Sequence, residues 1–324
     1  MREDLIFRAW VVRHMKLELN NWRFLDIVER DINTIPQNMC ENKIKQPTCT
    51  TCDNRTAVIL LTTIISRAAF ADPRTTFLSR IVNGQDAVPN EFPWQVSLQY
   101  RSDTTQGYSH ICGAVVLDAN RILTAAHCVQ HDPTISNYEI VVGEHNLAEQ
   151  SGNEQRRTLS DLKIHASYSG SGGHNNDIAV LILSSSLTLI NNLVERATLP
   201  LSAQTFTGKN CYISGWGRTV ANGPLPDILQ KAATSVITHS DCRSRLGLTG
   251  LLYLNAQDHI CIYTGSNSAC NGDSGGPLVC DVSTSSTPNW QLAGVTSWGL
   301  VDCPVGSPSV YVRVSSYIDW IGLQ

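Results

Sequence analysis

The sequence predicts an all-β protein, a barrel or a sandwich built from many short strands. Six stretches carry that expectation: 94–100 (WQVSLQY), 138–144 (YEIVVGE), 177–183 (DIAVLIL), 211–217 (CYISGWG), 291–299 (QLAGVTSWG) and 309–314 (SVYVRV). Each is apolar or alternating and is bounded by Gly, Asn, Asp or Pro, the pattern of short strands closed by turns. No long amphipathic helix pattern interrupts them before the last segment, 315–324 (SSYIDWIGLQ). Internal repeats and low-complexity tracts are absent from this region of the sequence. The cysteines agree with a compact extracellular β protein. Eight of the 11 fall at Cys112, Cys128, Cys211, Cys242, Cys261, Cys270, Cys280 and Cys303. They are even in number and have no C-x-x-C pairing, which reads as disulfides in an oxidising compartment and not as zinc ligands.

Ahead of the strands, the chain divides by composition. Residues 1–38 carry charges throughout and read as a gene-model extension or a disordered leader. Residues 39–71 read as a signal peptide. Met39 is followed by Lys43, Lys45 and Arg55, then by the apolar run 57–65 and a small-x-small cleavage pattern at Ala69, Phe70 and Ala71. A signal anchor is the competing reading, although the run is broken by Ser66 and Arg67 short of the ~20 residues that span a bilayer. The Asn54-Arg55-Thr56 sequon falls inside this removable segment. The remaining cysteines, Cys40, Cys49 and Cys52, also precede the strands. Cys49 and Cys52 form a lone C-x-x-C, which has no second pair nearby to complete a metal site. Residues 72–80 then end in Arg80, a basic cleavage site before the apolar Ile81-Val82-Asn83-Gly84.

Bulk properties narrow the function. A hydrophobic content of 42% permits a full core, and the net charge of −4 carries no polybasic signal, so nucleic acid is excluded as the expected partner. Chemistry concentrates in three motifs. In 268–280 (SACNGDSGGPLVC), Ser274 sits between Asp273 and two glycines, a backbone that turns sharply and lets another group approach. His127 stands beside Cys128 after the apolar strand of 121–129 (RILTAAHCV), and Asp177 opens the strand of 174–183 (HNNDIAVLIL). Taken singly, such a histidine reads as structural and such an aspartate as a turn residue. A serine hydroxyl, however, is a weak nucleophile that needs an adjacent base. The buried carboxylate of Asp273 in turn needs a cation, which cleavage after Arg80 would create as the α-ammonium of Ile81.

With IVNG, LTAAHC, NNDIAVL, SGWG, CNGDSGGPLVC, VTSWG and YIDWI in that order, the region 81–324 resembles the chymotrypsin/trypsin-like serine proteases. In motif detail it resembles the pancreatic (chymotrypsin-like) elastases of the second type. The resemblance implies the trypsin-like serine protease fold: two six-stranded antiparallel Greek-key β-barrels with a short C-terminal helix. It implies a secreted zymogen-type serine endopeptidase in which Ser274 attacks the peptide carbonyl. His127 is the general base and acid, and Asp177 orients the imidazole. The N–H groups of Gly272 and Ser274 would form the oxyanion hole, Asp273 would pair with the freed Ile81, and Ser297 would support Asp177. The implied disulfides are Cys112–Cys128, Cys211–Cys280, Cys242–Cys261 and Cys270–Cys303.

The resemblance also implies a specificity pocket with Ser268 at its base and Gly299 and Ser309 on its walls. Its neutral base, with Asn271 before the oxyanion glycine, implies cleavage after Leu, Met, Phe or Tyr and activation by a separate trypsin-like protease. Trp298 departs from the pattern, and Asp302 at the rim is unexplained. No cofactor is needed for catalysis. The segment 143–155 (GEHNLAEQSGNEQ) resembles the family's calcium loop, with Glu144, Asn146, Glu149 and Glu154 as oxygen ligands and Ser151 where a further carboxylate can stand. A plain surface loop is the other reading of that segment. Protein substrates, protein protease inhibitors and a monomeric state are the implied partners and assembly. Two alternatives stay open: a non-catalytic homologue acting as a binding or regulatory module, and a membrane-tethered protease.

Overall fold

A computed structural model of the chain describes residues 84–324, apart from 171–172, 219–222, 264, 266–268, 270–271, 301–303 and 305. The expectations for 1–80 and Ile81, with Cys40, Cys49 and Cys52, therefore fall outside the described residues. Among the described residues, no helix is long and apolar enough to cross a membrane.

Two closed barrels account for nearly all the strands. The first is formed by β2 (Gln95–Tyr100), β3 (Ser109–Val116), β4 (Arg121–Thr124), β5 (Tyr138–Val142), β6 (Gln155–Ile164) and β7 (Ala179–Leu183), closed in the order β2-β3-β4-β7-β6-β5. The second uses β8 (Asn210–Gly215), β9 (Gln230–Ile237), β10 (His259–Ile262), β11 (Pro277–Asp281), β12 (Trp290–Trp298) and β13 (Ser309–Arg313), in the order β8-β9-β10-β13-β12-β11 and closed by pairing of β11 with β8. Within each barrel, the six strands are thus connected in the same spatial order. A two-residue strand β1 (Gln85–Asp86) adds to β9. All pairings within the barrels are antiparallel.

Side-chain alternation explains the closure. Along β9 the burial alternates strictly, Gln230 in, Lys231 half out, Ala232 in, Ala233 out, as a half-buried strand requires. Val96, Leu98, Ile122, Ile140 and Leu181 are fully buried in the first barrel, and Leu278, Ala293 and Tyr311 in the second. Each such aliphatic side chain contributes about 1.5–3 kcal/mol of burial, which favours a closed interior over an open edge. One buried apolar cluster takes residues from both barrels, among them Val96 and Ile122 of the first and Val279 and Val295 of the second. Closely spaced polar contacts also cross the seam. Ser214 Oγ donates to Gln95 Oε1 at 2.7 Å, and a Cβ on Gly113 would lie 2.7 Å from Gly276 Cα.

One element departs from the sequence expectation. A 15-residue helix α1 (His239–Tyr253) follows β9, kinked at Gly247 and capped by Thr238, whose side chain accepts from Asp241 N. It buries only Cys242, Leu246 and Gly250 and leaves Leu248, Leu251, Leu252 and Tyr253 exposed, so it has no single apolar face to read as a helix. The short C-terminal helix α2 (Ile318–Gly322) lies within the expected segment. Disulfides join Cys112 to Cys128, Cys211 to Cys280 and Cys242 to Cys261. Cys270 and Cys303 lie outside the described residues.

Candidate active site

His127 sits in a short 3-10 turn (Ala126–Cys128) directly after β4, and the disulfide to Cys112 ties that turn to β3. Asp177 stands two residues before the start of β7, the partner of β4, so strand pairing brings the two residues together across 50 positions of sequence. The Asp177 side chain is fully buried and fully committed. Oδ1 accepts the His127 backbone N–H at 2.9 Å, and Oδ2 accepts His127 Nδ1 at 2.7 Å and Ser297 Oγ at 2.6 Å. Ser297 lies on β12, so this one carboxylate fastens the two barrels to each other.

The electrostatics follow from that geometry. Burial by itself raises the Asp177 pKa, but the His127 ring, Ser297 and the His127 amide together outweigh it and hold the carboxyl below its ordinary value. An ionised Asp177 only accepts, so His127 Nδ1 carries the proton and Nε2 presents its lone pair. That tautomer is the one a general base needs.

Ser274 stands in the turn just ahead of β11 of the second barrel. Its turn is set by Gly272 at φ +102° and Gly275 at φ +77°, backbone that disfavours any Cβ. The Ser274 carbonyl accepts Gly113 N at 2.8 Å, and a Cβ at Gly275 would collide with Thr124 Oγ1 at the end of β4. The serine turn is thereby clamped against the strand that leads into His127. Among the described residues, no hydrogen bond joins the Ser274 hydroxyl to the His127 ring.

Asp273 is buried and accepts the Gly217 N–H at 2.8 Å. Both glycines of 214–217 (SGWG) face this carboxylate: a Cβ on Gly215 or on Gly217 would fall on its atoms. The motif thus clears a slot for Asp273. Arg80 and Ile81 lie outside the described residues.

His110 on β3 was not singled out by the sequence analysis, yet it reaches Gly272. Its Nε2 is 3.1 Å from the Gly272 carbonyl, and its Nδ1 is 2.9 Å from Ser97 Oγ, which also accepts Gln99 Nε2 at 3.3 Å. Burial pushes the His110 imidazole down to about 4, so the ring is neutral near pH 7. A carbonyl only accepts, so Nε2–H donates to Gly272 O, and Nδ1 accepts from Ser97. The sequence signal was a pair of polar residues at alternate positions of β2, Ser97 and Gln99, and a histidine on β3, inside strands otherwise built for a core.

Of the pocket positions, Ser268, Asn271 and Asp302 fall outside the described residues. Ser309 is buried, and its Oγ accepts Ala269 N at 3.2 Å. A Cβ at Gly299 would meet open space. On the loop after β5, Glu144 is buried while Glu154 accepts from Ser151 N, Ser151 Oγ and Gly152 N. Burial, with the nearby charge of Glu154, pushes the Glu144 carboxyl up. The Asn146 carbonyl accepts Glu149 N, which leaves its second lone pair. Carboxylate and carbonyl oxygens are the ligand type a hard divalent cation takes, although Glu144 already accepts His145 N and Glu154 its three donors.

Comparison with known proteins agrees with this architecture. The Trypsin family model matches residues 81–321. The chain is 40% identical over 253 residues to the fibrinolytic enzyme, isozyme C, of Lumbricus rubellus, covering 75% of this chain and 98% of that protein. It is 39% identical over 269 residues to the chymotrypsin-like elastase family member 3A of Homo sapiens, covering 81% and 94%. Proproteinase E of Bos taurus is 38% identical over 258 residues, covering 78% and 97%. With two closed six-stranded barrels and a family match across most of its length, the chain belongs to the trypsin family and is a chymotrypsin-like serine endopeptidase.

Proposed function

We propose that the protein is a secreted, zymogen-type endopeptidase that cuts after Leu, Met, Phe or Tyr through a His127–Asp177–Ser274 triad, in a digestive role. The observation that carries this reading is the Asp177 carboxylate, which at once fixes the His127 tautomer and accepts from Ser297 of the other barrel. Ser274 Oγ attacks the scissile carbonyl as His127 Nε2 takes its proton. The tetrahedral oxyanion is stabilised by the N–H groups of Gly272 and Ser274, a contribution of about 3–4 kcal/mol for one such donor. His127 then gives the proton to the leaving amine, and the acyl-enzyme forms as the C–N bond breaks. Water repeats the sequence in reverse and releases the acid.

Activation is cleavage after Arg80, with the new Ile81 ammonium pairing with Asp273 in the slot cleared by Gly215 and Gly217. A neutral Ser268 at the pocket base, open space at Gly299 and a buried Ser309 favour a medium-to-large apolar side chain. They give no partner to a cationic one, so a separate trypsin-like protease is the activator. Disulfides support an extracellular location. Catalysis requires no cofactor. Calcium would be held by Glu144, Asn146, Glu149 and Glu154, where it offsets the repulsion between the two carboxylates and stiffens the loop.

The full chain, secreted from cells and collected from the medium, is assayed before and after limited trypsin treatment, with the trypsin inhibited before assay. The substrates are peptides that differ only in the residue before the cut. Cleavage after Leu, Met, Phe or Tyr that depends on trypsin and is absent from Ser274→Ala is expected. Cleavage after Arg or Lys would refute the pocket assignment, and activity in Ser274→Ala would refute the triad.

A further inference from the structure

His174 is unused by the proposed catalysis, yet its ring stands across from that of His127, with centroids 5.7 Å apart and planes at 61°. One donor atom from each of His127, His174 and Asp177 lies within 4.8 Å of the others. Both imidazoles are held at Nδ1 by an oxygen: His127 by Asp177 Oδ2 at 2.7 Å, and His174 by the Tyr168 hydroxyl at 3.2 Å. An oxygen at Nδ1 that accepts its proton leaves Nε2 as a free lone pair, which is how metal-binding histidines are oriented by their outer partners. His174 is aimed there by an unusual backbone, φ +48°, two residues before Asn176 at φ +56°. Left-handed conformations at non-glycine residues cost energy and mark positions where the surrounding structure fixes a side chain.

We infer that His127 and His174 form an inhibitory binding site for a borderline divalent cation of the zinc type. Imidazole nitrogens at about 2.0–2.1 Å suit that ion, and water would complete its coordination. The cation occupies the His127 Nε2 lone pair that must receive the Ser274 proton, so metal binding and proton transfer exclude each other. No bond of the protein is made or broken, and inhibition reverses when the metal is removed. The inhibitory consequence rests on the proposed role of His127, whereas binding itself does not.

The test therefore has two arms, both on the full secreted chain after trypsin activation. In the first, zinc chloride is titrated calorimetrically into the Ser274→Ala protein, which cannot digest itself. One zinc ion per chain is expected, with binding weakened at least ~10-fold in His174→Asn, since asparagine tolerates the left-handed backbone but is a poor zinc ligand. Tyr168→Phe, which removes the oxygen at His174 Nδ1 and leaves both histidines, should weaken it ~10-fold. In the second arm, zinc inhibits peptide hydrolysis by the Ser274 enzyme, chelator restores the rate, and the inhibition constant rises in His174→Asn by the same factor as the dissociation constant. Unchanged zinc affinity in His174→Asn, no binding, or binding without inhibition of an active enzyme would overturn the inference. A chain that binds zinc as described but hydrolyses nothing before zinc is added would instead refute the proposed protease mechanism.

Discussion

Replacement of Gly217 by alanine is expected to unseat Ser274, the proposed nucleophile, from a distance. A Cβ at this position would lie well under 3.0 Å from the Cγ and both carboxylate oxygens of Asp273, closer than real carbon contacts allow. Asp273 is buried between Gly272 and Ser274, so the chain cannot relieve the overlap by swinging a side chain into solvent. The carboxylate must move and give up the 2.8 Å bond it accepts from Gly217 N. Losing a charge-assisted bond costs about 1.5–3 kcal/mol, and overpacking costs a further ~1–3 kcal/mol. The two overlap, because one displacement relieves the other, and the expected net loss is about 3 kcal/mol of stability. The serine turn moves with Asp273, and a displacement of the order of 1 Å costs about 100-fold in rate. Urea unfolding in a Ser274→Ala background gives the stability free of self-digestion, and kcat/KM of the activated enzyme gives the rate. Gly107→Ala, whose Cβ meets open space, should stay within about 0.5 kcal/mol of the parent. A Gly217→Ala enzyme with parental stability and kcat/KM would refute the argument that the glycines clear a slot for Asp273.

Other perturbations follow from the same geometry. Ser297→Ala removes one of the groups that depress the Asp177 pKa, at a cost of about 1.5–3 kcal/mol. Asp177 stabilises the fold above its unfolded pKa and loses that contribution as pH falls through its lower folded pKa, so the acid edge of a melting-temperature profile should move to higher pH in this variant. His259, buried and pushed down to about 4 mainly by desolvation, likewise favours its deprotonated form in the folded chain, which for an imidazole is the neutral one. The unfolded chain binds its proton below about 6.5, so stability falls as pH drops from there to about 4, by ~3 kcal/mol at most, and His259→Phe should flatten that part of the profile. His110→Leu leaves the Gly272 carbonyl without its donor, and we expect kcat/KM to fall about 10-fold for a lost bond worth ~1.4 kcal/mol, measured with a peptide substrate. Millimolar calcium should raise the melting temperature of the parent and do so less in Glu154→Gln.

The legibility of this protein was uneven for physical reasons. Strands such as β7 and β13 carry nearly continuous apolar runs, and each is read directly from sequence. The α1 helix was invisible because its burial is limited to Cys242, Leu246 and Gly250 and a kink at Gly247 breaks its period. The shared strand order of the two barrels was equally hidden, since topology is set by which edges pair and leaves no repeated residues. At the site, Ser274 stood out in its glycine-rich turn, whereas His127 and Asp177, ordinary when taken singly, were read through the ordered set of motifs that resembles a known family. His110 and His174 did not, because each acts through a contact made by tertiary structure: a carbonyl 162 residues away for His110, and a left-handed backbone for His174. SGWG was recognised as a motif, but its purpose emerged only when the Asp273 carboxylate was found against both glycines.

The central claim is that Ser274 is a nucleophile made reactive by His127 and Asp177 only after cleavage at Arg80. Its most direct measurement is covalent labelling with a sulfonyl fluoride, followed by mass spectrometry of the intact chain and its peptides. The expected result is one adduct per chain, on the peptide containing Ser274, formed rapidly when the N-terminus is Ile81. The same label should form far more slowly in the uncleaved chain and in His127→Ala. Labelling at another residue, or at the same rate in cleaved and uncleaved chains, would contradict the account.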